Sequence, residues 1–233
     1  MIRLAIVGHG LRISGFIKDN LKKIDPSLKV VGIVDPDEKY ARSFIDESEQ
    51  KDIVFYKDLD EMMLKAKPDA LAIGTRCNLH TPYAVEASKY NIPIFLEKPV
   101  ATNMEQAIEL EKAFEKSKSK VIVSFPLRMT ALCRAMKEQI DKKTIGSPEH
   151  VLAVNYVPYG TVYWEDGYRN YEITQGLFLQ KATHDFDYIM FMLGQNIVNI
   201  CAKTTVGHIF GGKKPAGLFC SKCKEADPAL KVL

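Results

Sequence analysis

No stretch of the 233 residues approaches the roughly 18 consecutive apolar residues that a membrane-spanning helix needs. The first apolar run, Leu4 to Val7, is too short for a secretory signal core and leads directly into a glycine turn. A disulfide framework is missing as well. The five cysteines, Cys77, Cys133, Cys201, Cys220 and Cys223, are odd in number, and only the last two are closely spaced. These absences predict a reducing, cytoplasmic setting. No block of one charge sign occurs either. Thirty-two basic against 29 acidic residues leave a net charge of +3, with lysine pairs such as Lys142–Lys143 and Lys213–Lys214 scattered along the chain. Nucleic-acid binders concentrate positive charge on one face or segment, so a solvated lysine-rich surface is the better reading. Internal repeats and low-complexity segments are also lacking.

What is present is ample apolar material, 46% of residues, against 26% charged. That balance fits a globular chain with a sizeable core. Short apolar runs alternate with longer amphipathic segments through the first half. Runs at 2–7, 30–34, 53–56, 70–73, 92–96 and 121–125 read as six strands. Helical spacing lies between them, over 81–90 and over 104–116, where Ala107, Leu110 and Phe114 recur on one face. Strands that alternate with helices predict an α/β fold with a parallel sheet covered on both faces. Continuously apolar strands say the same.

The pattern changes after Phe125. A helix is predicted over 127–142, a strand over 151–157, a helix over 176–193 and a strand over 198–205. The expected organisation is a Rossmann-type parallel-sheet domain over 1–125, followed by a smaller α+β domain over 126–233. Between the second-half elements lies a segment rich in aromatics: Tyr156, Tyr159, Tyr163, Trp164, Tyr168 and Tyr171. Aromatic faces with hydroxyl tips suit carbohydrate rings, and they equally suit packing between elements. Stacking on single-stranded nucleic acid is excluded, because Arg169 is the sole basic residue there against Glu165, Asp166 and Glu172. In the tail, Cys220 and Cys223 form an isolated C-x-x-C. Zinc would need two more ligands and His208 is a weak candidate, so no metal site is expected.

Gly8-His9-Gly10 follows the first strand and opens the first helix. One glycine permits the tight turn and another lets backbone approach a pyrophosphate, which the helix N-terminus then holds. The usual third glycine would fall at Ile13, a departure expected to tilt the helix or alter phosphate contacts. Asp35 ends the second strand, where a carboxylate accepts hydrogen bonds from ribose hydroxyls and repels a 2′-phosphate. With Asp37 nearby, NAD is favoured over NADP. The fifth strand ends in Glu97-Lys98-Pro99, at the strand ends where open α/β sheets bind ligands. A partly desolvated lysine there can hold a substrate hydroxyl, and its pKa falls readily. His184 and Asp187, three apart on a predicted helix, share a face and suit general acid/base work. Each of these features, taken alone, also has an ordinary structural explanation.

Together they resemble the Gfo/Idh/MocA family of NAD(P)-dependent sugar and polyol oxidoreductases. The matching segments are Val7-Gly8-His9-Gly10, Asp35, Cys77-Asn78-Leu79-His80-Thr81-Pro82-Tyr83-Ala84, Glu97-Lys98-Pro99, Phe125-Pro126-Leu127-Arg128, Ile145-Gly146 and His184-Asp185-Phe186-Asp187. They stand in the family's order and cover roughly residues 1–205. The resemblance implies hydride transfer between NAD and a hydroxyl-bearing carbon of a sugar, inositol or related polyol. By it, Lys98 positions the reacting hydroxyl, His184 is the general acid/base, and Asp187 contacts substrate hydroxyls or orients the site. Gly8, His9, Gly10, Leu11, Arg12, Asp35, Thr75, Asn78, His80, Glu97 and Lys98 would line the cofactor. Arg128 and Lys181 would join Lys98 and His184 at the substrate. Many members carry an Asp four residues before the histidine, where this chain has Gln180. The resemblance also makes the chain look short, with a curtailed second sheet, and leaves a homo-oligomer open. Two alternatives stay alongside: a redox-assisted glycosidase or eliminase that recycles NAD within a turnover, and a cofactor-binding member without turnover.

Overall fold

A computed structural model describes residues 1–156, 168, 170–176 and 178–203. Tyr159, Tyr163, Trp164, His208, Cys220 and Cys223 lie outside the described residues, as do the far ends of the strands expected over 151–157 and 198–205.

All six first-half strands form, as β1 (Arg3–Val7), β2 (Lys29–Val34), β3 (Val54–Phe55), β4 (Ala70–Ile73), β5 (Ile94–Leu96) and β6 (Val121–Val123). Every pairing is parallel, and the order across the sheet is β3-β2-β1-β4-β5-β6. That is the Rossmann order, with its reversal between β1 and β4. β5 starts two residues later than the apolar run suggested, since Pro93 has no N–H to give the ladder.

The strands are apolar on both sides because both sides are covered. Ala5, Val7, Leu71 and Ile73 face one cluster with Leu59, Met62, Ala84 and Ala87, drawn from α4 (Leu59–Ala66) and α5 (His80–Ala87). Their alternates Leu4, Ile6 and Ala72 face the other, with Ile13, Ile17, Leu28 and Ile45. Ile13 belongs to α1 (Leu11–Phe16), which runs on through a π-helical turn over Ile17–Leu21 into α2 (Lys22–Ile24). Full burial of each Ile or Leu contributes about 1.5–3 kcal/mol, which makes these two layers the main source of stability. α3 (Glu38–Arg42) follows β2, and α6 (Met104–Glu115) lays Leu110 and Phe114 against the first cluster.

The second half departs from expectation in three places. The helix expected over 127–142 is split into a 3-10 turn, Pro126–Met129, and α7 (Ala131–Asp141). Thr130 makes the break by capping α7, its Oγ1 accepting from Cys133 N at 3.3 Å. After α8 (Tyr171–Thr174), the helix expected over 176–193 begins as a π-helical turn, Phe178–Ala182, and becomes α9 (Thr183–Leu193). Gly194, at φ +63°, ends it in the left-handed conformation that glycine adopts freely. The expected strands do not form over 151–156 or 198–203, which carry no regular structure and leave Leu152, Val154, Val198 and Ile200 exposed. An apolar pattern is not sufficient for a strand. The ladder also needs a partner, and no second sheet occurs among the described residues.

Candidate active site

The site is built at the carboxyl ends of β1, β2, β4 and β5, around the strand-order reversal. Gly8, directly after β1, sits at φ +80°, and a Cβ there would lie 2.7 Å from the Thr75 backbone. Glycine is therefore required twice, for conformation and for room. A Cβ on Gly10 would meet nothing within 4 Å, so open space stands above the N-terminus of α1, which has no side-chain cap. Unpaired N–H groups facing open space are what a pyrophosphate needs.

Ile13 does not disturb this turn. It is fully buried, and the room a third glycine would supply comes from Gly74 instead. A Cβ on Gly74 would overlap Ile13 Cγ1 at 1.9 Å. The tight helix–strand approach is kept with the small residue moved to the strand end.

Asp35 accepts the His9 N–H at 2.8 Å on one oxygen and the Asp37 N–H at 2.9 Å on the other. The carboxylate is thus held at the turn with lone pairs to spare for ribose hydroxyls. Asp37 instead caps α3 by accepting from Tyr40 N at 2.9 Å. His9 is buried, with its Nδ1 3.1 Å from the Ala41 carbonyl, and burial lowers its pKa. Its side chain is occupied with packing. Leu11 is exposed in the first turn of α1. Arg12 reaches across the crevice, where its Nε donates to Glu97 Oε1 at 3.2 Å.

His80, expected beside the cofactor, lies behind that surface. It is 2% exposed, with Nδ1 2.7 Å from the Pro99 carbonyl and Nε2 3.1 Å from the Thr75 carbonyl. Burial depresses its pKa against the pull of those two carbonyls, and the ring sits between the loop after β4 and the turn that carries Lys98. Two further braces escaped the sequence. Thr81 Oγ1 donates to the Val100 carbonyl at 2.7 Å, and Gln106 Nε2 donates to the Asn78 carbonyl at 3.0 Å. Nothing in the sequence links Gln106 to Asn78, since the pairing arises only when α6 packs beside α5.

Lys98 closes the site from β5. Its Nζ donates to the Gln180 main-chain carbonyl at 2.8 Å, which bridges the two halves of the chain. Burial, reinforced by the nearby Lys181 charge, pulls its pKa down to about 8. His184 is depressed by burial first and then by Lys98 and Lys181, so its imidazole is neutral at pH 7. Its ring meets Phe125 edge to face at 5.7 Å. Lys98, Lys181 and His184 therefore come together as the sequence suggested.

Arg128 and Asp187 do not take separate places toward a substrate. They bind each other, Arg128 Nε donating to Asp187 Oδ2 at 2.7 Å and Nη2 to Oδ1. Asp187 is 4% exposed, and this fork satisfies a carboxylate that burial would otherwise penalise. Asp185 points elsewhere, accepting from Asn155 Nδ2 at 2.9 Å. Cys77 is buried and its thiol pKa is raised by that burial, so it is no nucleophile at neutral pH.

A neutral imidazole beside a half-buried ammonium of lowered pKa, at the mouth of a dinucleotide crevice, can remove a hydroxyl proton and stabilise the oxygen left behind. Comparison with known proteins places the chain in a family. Residues 2–125 match the model of an oxidoreductase family with an NAD-binding Rossmann fold, and residues 133–214 match the GFO/IDH/MocA C-terminal domain. The chain is 28% identical over 224 residues to YteT of Bacillus subtilis, which carries the name of an oxidoreductase, covering 91% of this chain and 52% of that protein. It is 25% identical over 208 residues to myo-inositol 2-dehydrogenase of Thermotoga maritima, covering 88% and 59%. Among solved structures, the WlbA dehydrogenase of Chromobacterium violaceum in complex with NADH and UDP-GlcNAcA superposes with a TM-score of 0.68 at 25% identity, covering 82% of this chain and 55% of that one. The chain spans about half the length of the curated relatives it matches. No helix among the described residues is long and apolar enough to cross a membrane.

Proposed function

The chain belongs to the Gfo/Idh/MocA family of oxidoreductases, and from that membership we propose that it moves a hydride between NAD and a carbinol carbon of a sugar, inositol or related polyol. The observation that carries the reading is the pairing of Lys98 with the Gln180 carbonyl, which sets a lysine of lowered pKa beside a neutral His184. Hydride acceptance is the chemistry that NAD supplies when bound. His184 takes the proton of the reacting hydroxyl. Lys98 donates a hydrogen bond to the same oxygen and stabilises the negative charge that grows there. Arg128 and Asp187, each neutralising the other, fix α9 against the turn after β6, which keeps His184 aimed. Asp35 supports NAD over NADP, because a fixed carboxylate repels a 2′-phosphate. The inositol dehydrogenase among the relatives supports a polyhydroxylated substrate.

The test is a panel of myo-inositol, scyllo-inositol, D-glucose, D-galactose and D-glucuronate with NAD or NADP, read by NADH absorbance. The expected result is net NADH from at least one member, with NAD preferred. Lys98→Met and His184→Ala should each lower kcat by at least about 100-fold while NADH affinity stays within a few fold. Turnover retained in both variants would refute the assignment. Product without net NADH would favour the redox-assisted elimination route instead.

A further inference from the structure

Glu97 brings a carboxylate into the crevice, yet the residue is only 7% exposed. Among the described residues one side chain bonds to it, that of Arg12, whose Nε donates to Oε1 at 3.2 Å. The two come from separate strand ends. Arg12 lies in the first turn of the helix after β1, Glu97 stands directly after β5, and β4 runs between those strands. Neighbouring strands are about 4.8 Å apart, so the arginine reaches over the whole end of β4. With the Arg12 side chain 62% exposed, the pair contributes little to folding. Its consequence lies in the crevice that it crosses.

Sheet order says which part of a dinucleotide meets the pair. Asp35, after β2, suits the adenosine ribose, and the uncapped N-terminus of α1, after β1, suits the pyrophosphate. The remainder continues in the same direction, past β4 to β5, where Glu97 and Lys98 stand. The pair therefore flanks the nicotinamide end. Charge distinguishes the two cofactor forms there. The oxidised ring is a cation and the reduced ring is neutral, while the rest of the dinucleotide is the same in both. A carboxylate beside the ring favours the oxidised form, and a cation paired with that carboxylate cancels the preference. Lys98, whose pKa is lowered first by burial and then by Lys181, registers the same opposition: Glu97 raises its pKa and Arg12 lowers it. We infer that Arg12 is a specificity-determining residue that, by neutralising Glu97, sets the relative affinity of the crevice for oxidised and reduced NAD. Without it, Glu97 holds the oxidised form and opposes the hydride acceptance that discharges the ring. The inference deepens the dehydrogenase reading above and rests on its NAD site.

The ratio of the NADH and NAD dissociation constants isolates this effect, because a lost phosphate contact weakens both forms equally. Both constants are measured by titration calorimetry on the full chain, without substrate. Arg12→Met should raise Kd(NADH)/Kd(NAD) by about tenfold, since Glu97 is left uncompensated beside a cationic ring. Glu97→Gln should lower the ratio, by less, because the exposed Arg12 charge that remains is screened by water. The double variant should return close to the wild-type ratio, as the site again carries no net charge from the pair. Arg12→Lys, which keeps the cation, should also stay close to wild type. A ratio unchanged in both single variants, or moved in the same direction by both, overturns the inference. If wild type binds neither form, the NAD site falls and this inference with it. If both forms bind but no panel member turns over, the dehydrogenase reading falls and the ratios still decide this inference.

Discussion

In the proposed mechanism Lys98 and His184 carry opposite requirements for protonation, and burial lowers both pKa values. Burial and the Lys181 charge bring Lys98 down to about 8, so its proton is present below that pH and lost above it. Burial and two neighbouring cations hold His184 below its ordinary 6.5, so its free base is present through neutral pH and lost only in acid. The dependence of kcat/KM on pH should therefore be bell-shaped, with an acid limb below 6.5 and an alkaline limb near 8. Replacing Lys181 with Met removes a cause of the Lys98 depression and should move the alkaline limb upward, and an unmoved limb would contradict the electrostatic account. The Arg128–Asp187 fork makes a second claim at this scale. Asp187 is buried, so Arg128→Ala strands its carboxylate and should destabilise the protein by about 3 kcal/mol in urea unfolding. Arg128→Lys restores the charge without the fork and should recover less than half of that. Both ion pairs at the site were invisible in the sequence. Arg12 and Glu97 are 85 positions apart, and Arg128 and Asp187 are 59 apart, so only the fold brings each pair together. Lys98 and His184 could be singled out because strand ends and helix faces are themselves legible.

The six strands were readable because burial on both faces leaves a continuous apolar run, a signal that needs no tertiary information. The second-half strands failed for the complementary reason. An apolar run at 151–156 shows that a segment suits a ladder, and it says nothing about whether a ladder partner is there. Helix breaks at Thr130 and over Phe178–Ala182 were missed because helical periodicity continues across them, while the cap and the widened turn are local events. Position 13 illustrates how one element compensates another. Judged along the chain, Ile13 breaks the glycine pattern of the turn. Across the sheet it fills the space left by Gly74. Gly74→Ala alone should therefore be severely destabilising, and Ile13→Ala alone should cost about 2–5 kcal/mol as a cavity. The double variant should be markedly more stable than the sum of the two predicts, since each change relieves the other. Strict additivity in thermal or urea unfolding would show that the two side chains do not share that space.

At the scale of the molecule, the Rossmann sheet supplies the cofactor crevice and one proposed catalytic group, while α9 and the turn before it supply the other. The Lys98–Gln180 hydrogen bond joins the two halves at the reacting centre, so neither half alone assembles the proposed chemistry. Family membership explains why these pieces occur together. The central claim is direct hydride transfer from a polyol carbon to NAD, and isotope tracking tests it most directly. The panel polyol that turns over, deuterated at the reacting carbon, is incubated with NAD, and the cofactor is recovered for mass spectrometry. The account predicts one deuterium at C4 of the nicotinamide in wild type and a loss of that label in Lys98→Met and His184→Ala. Turnover that leaves the cofactor unlabelled would contradict it.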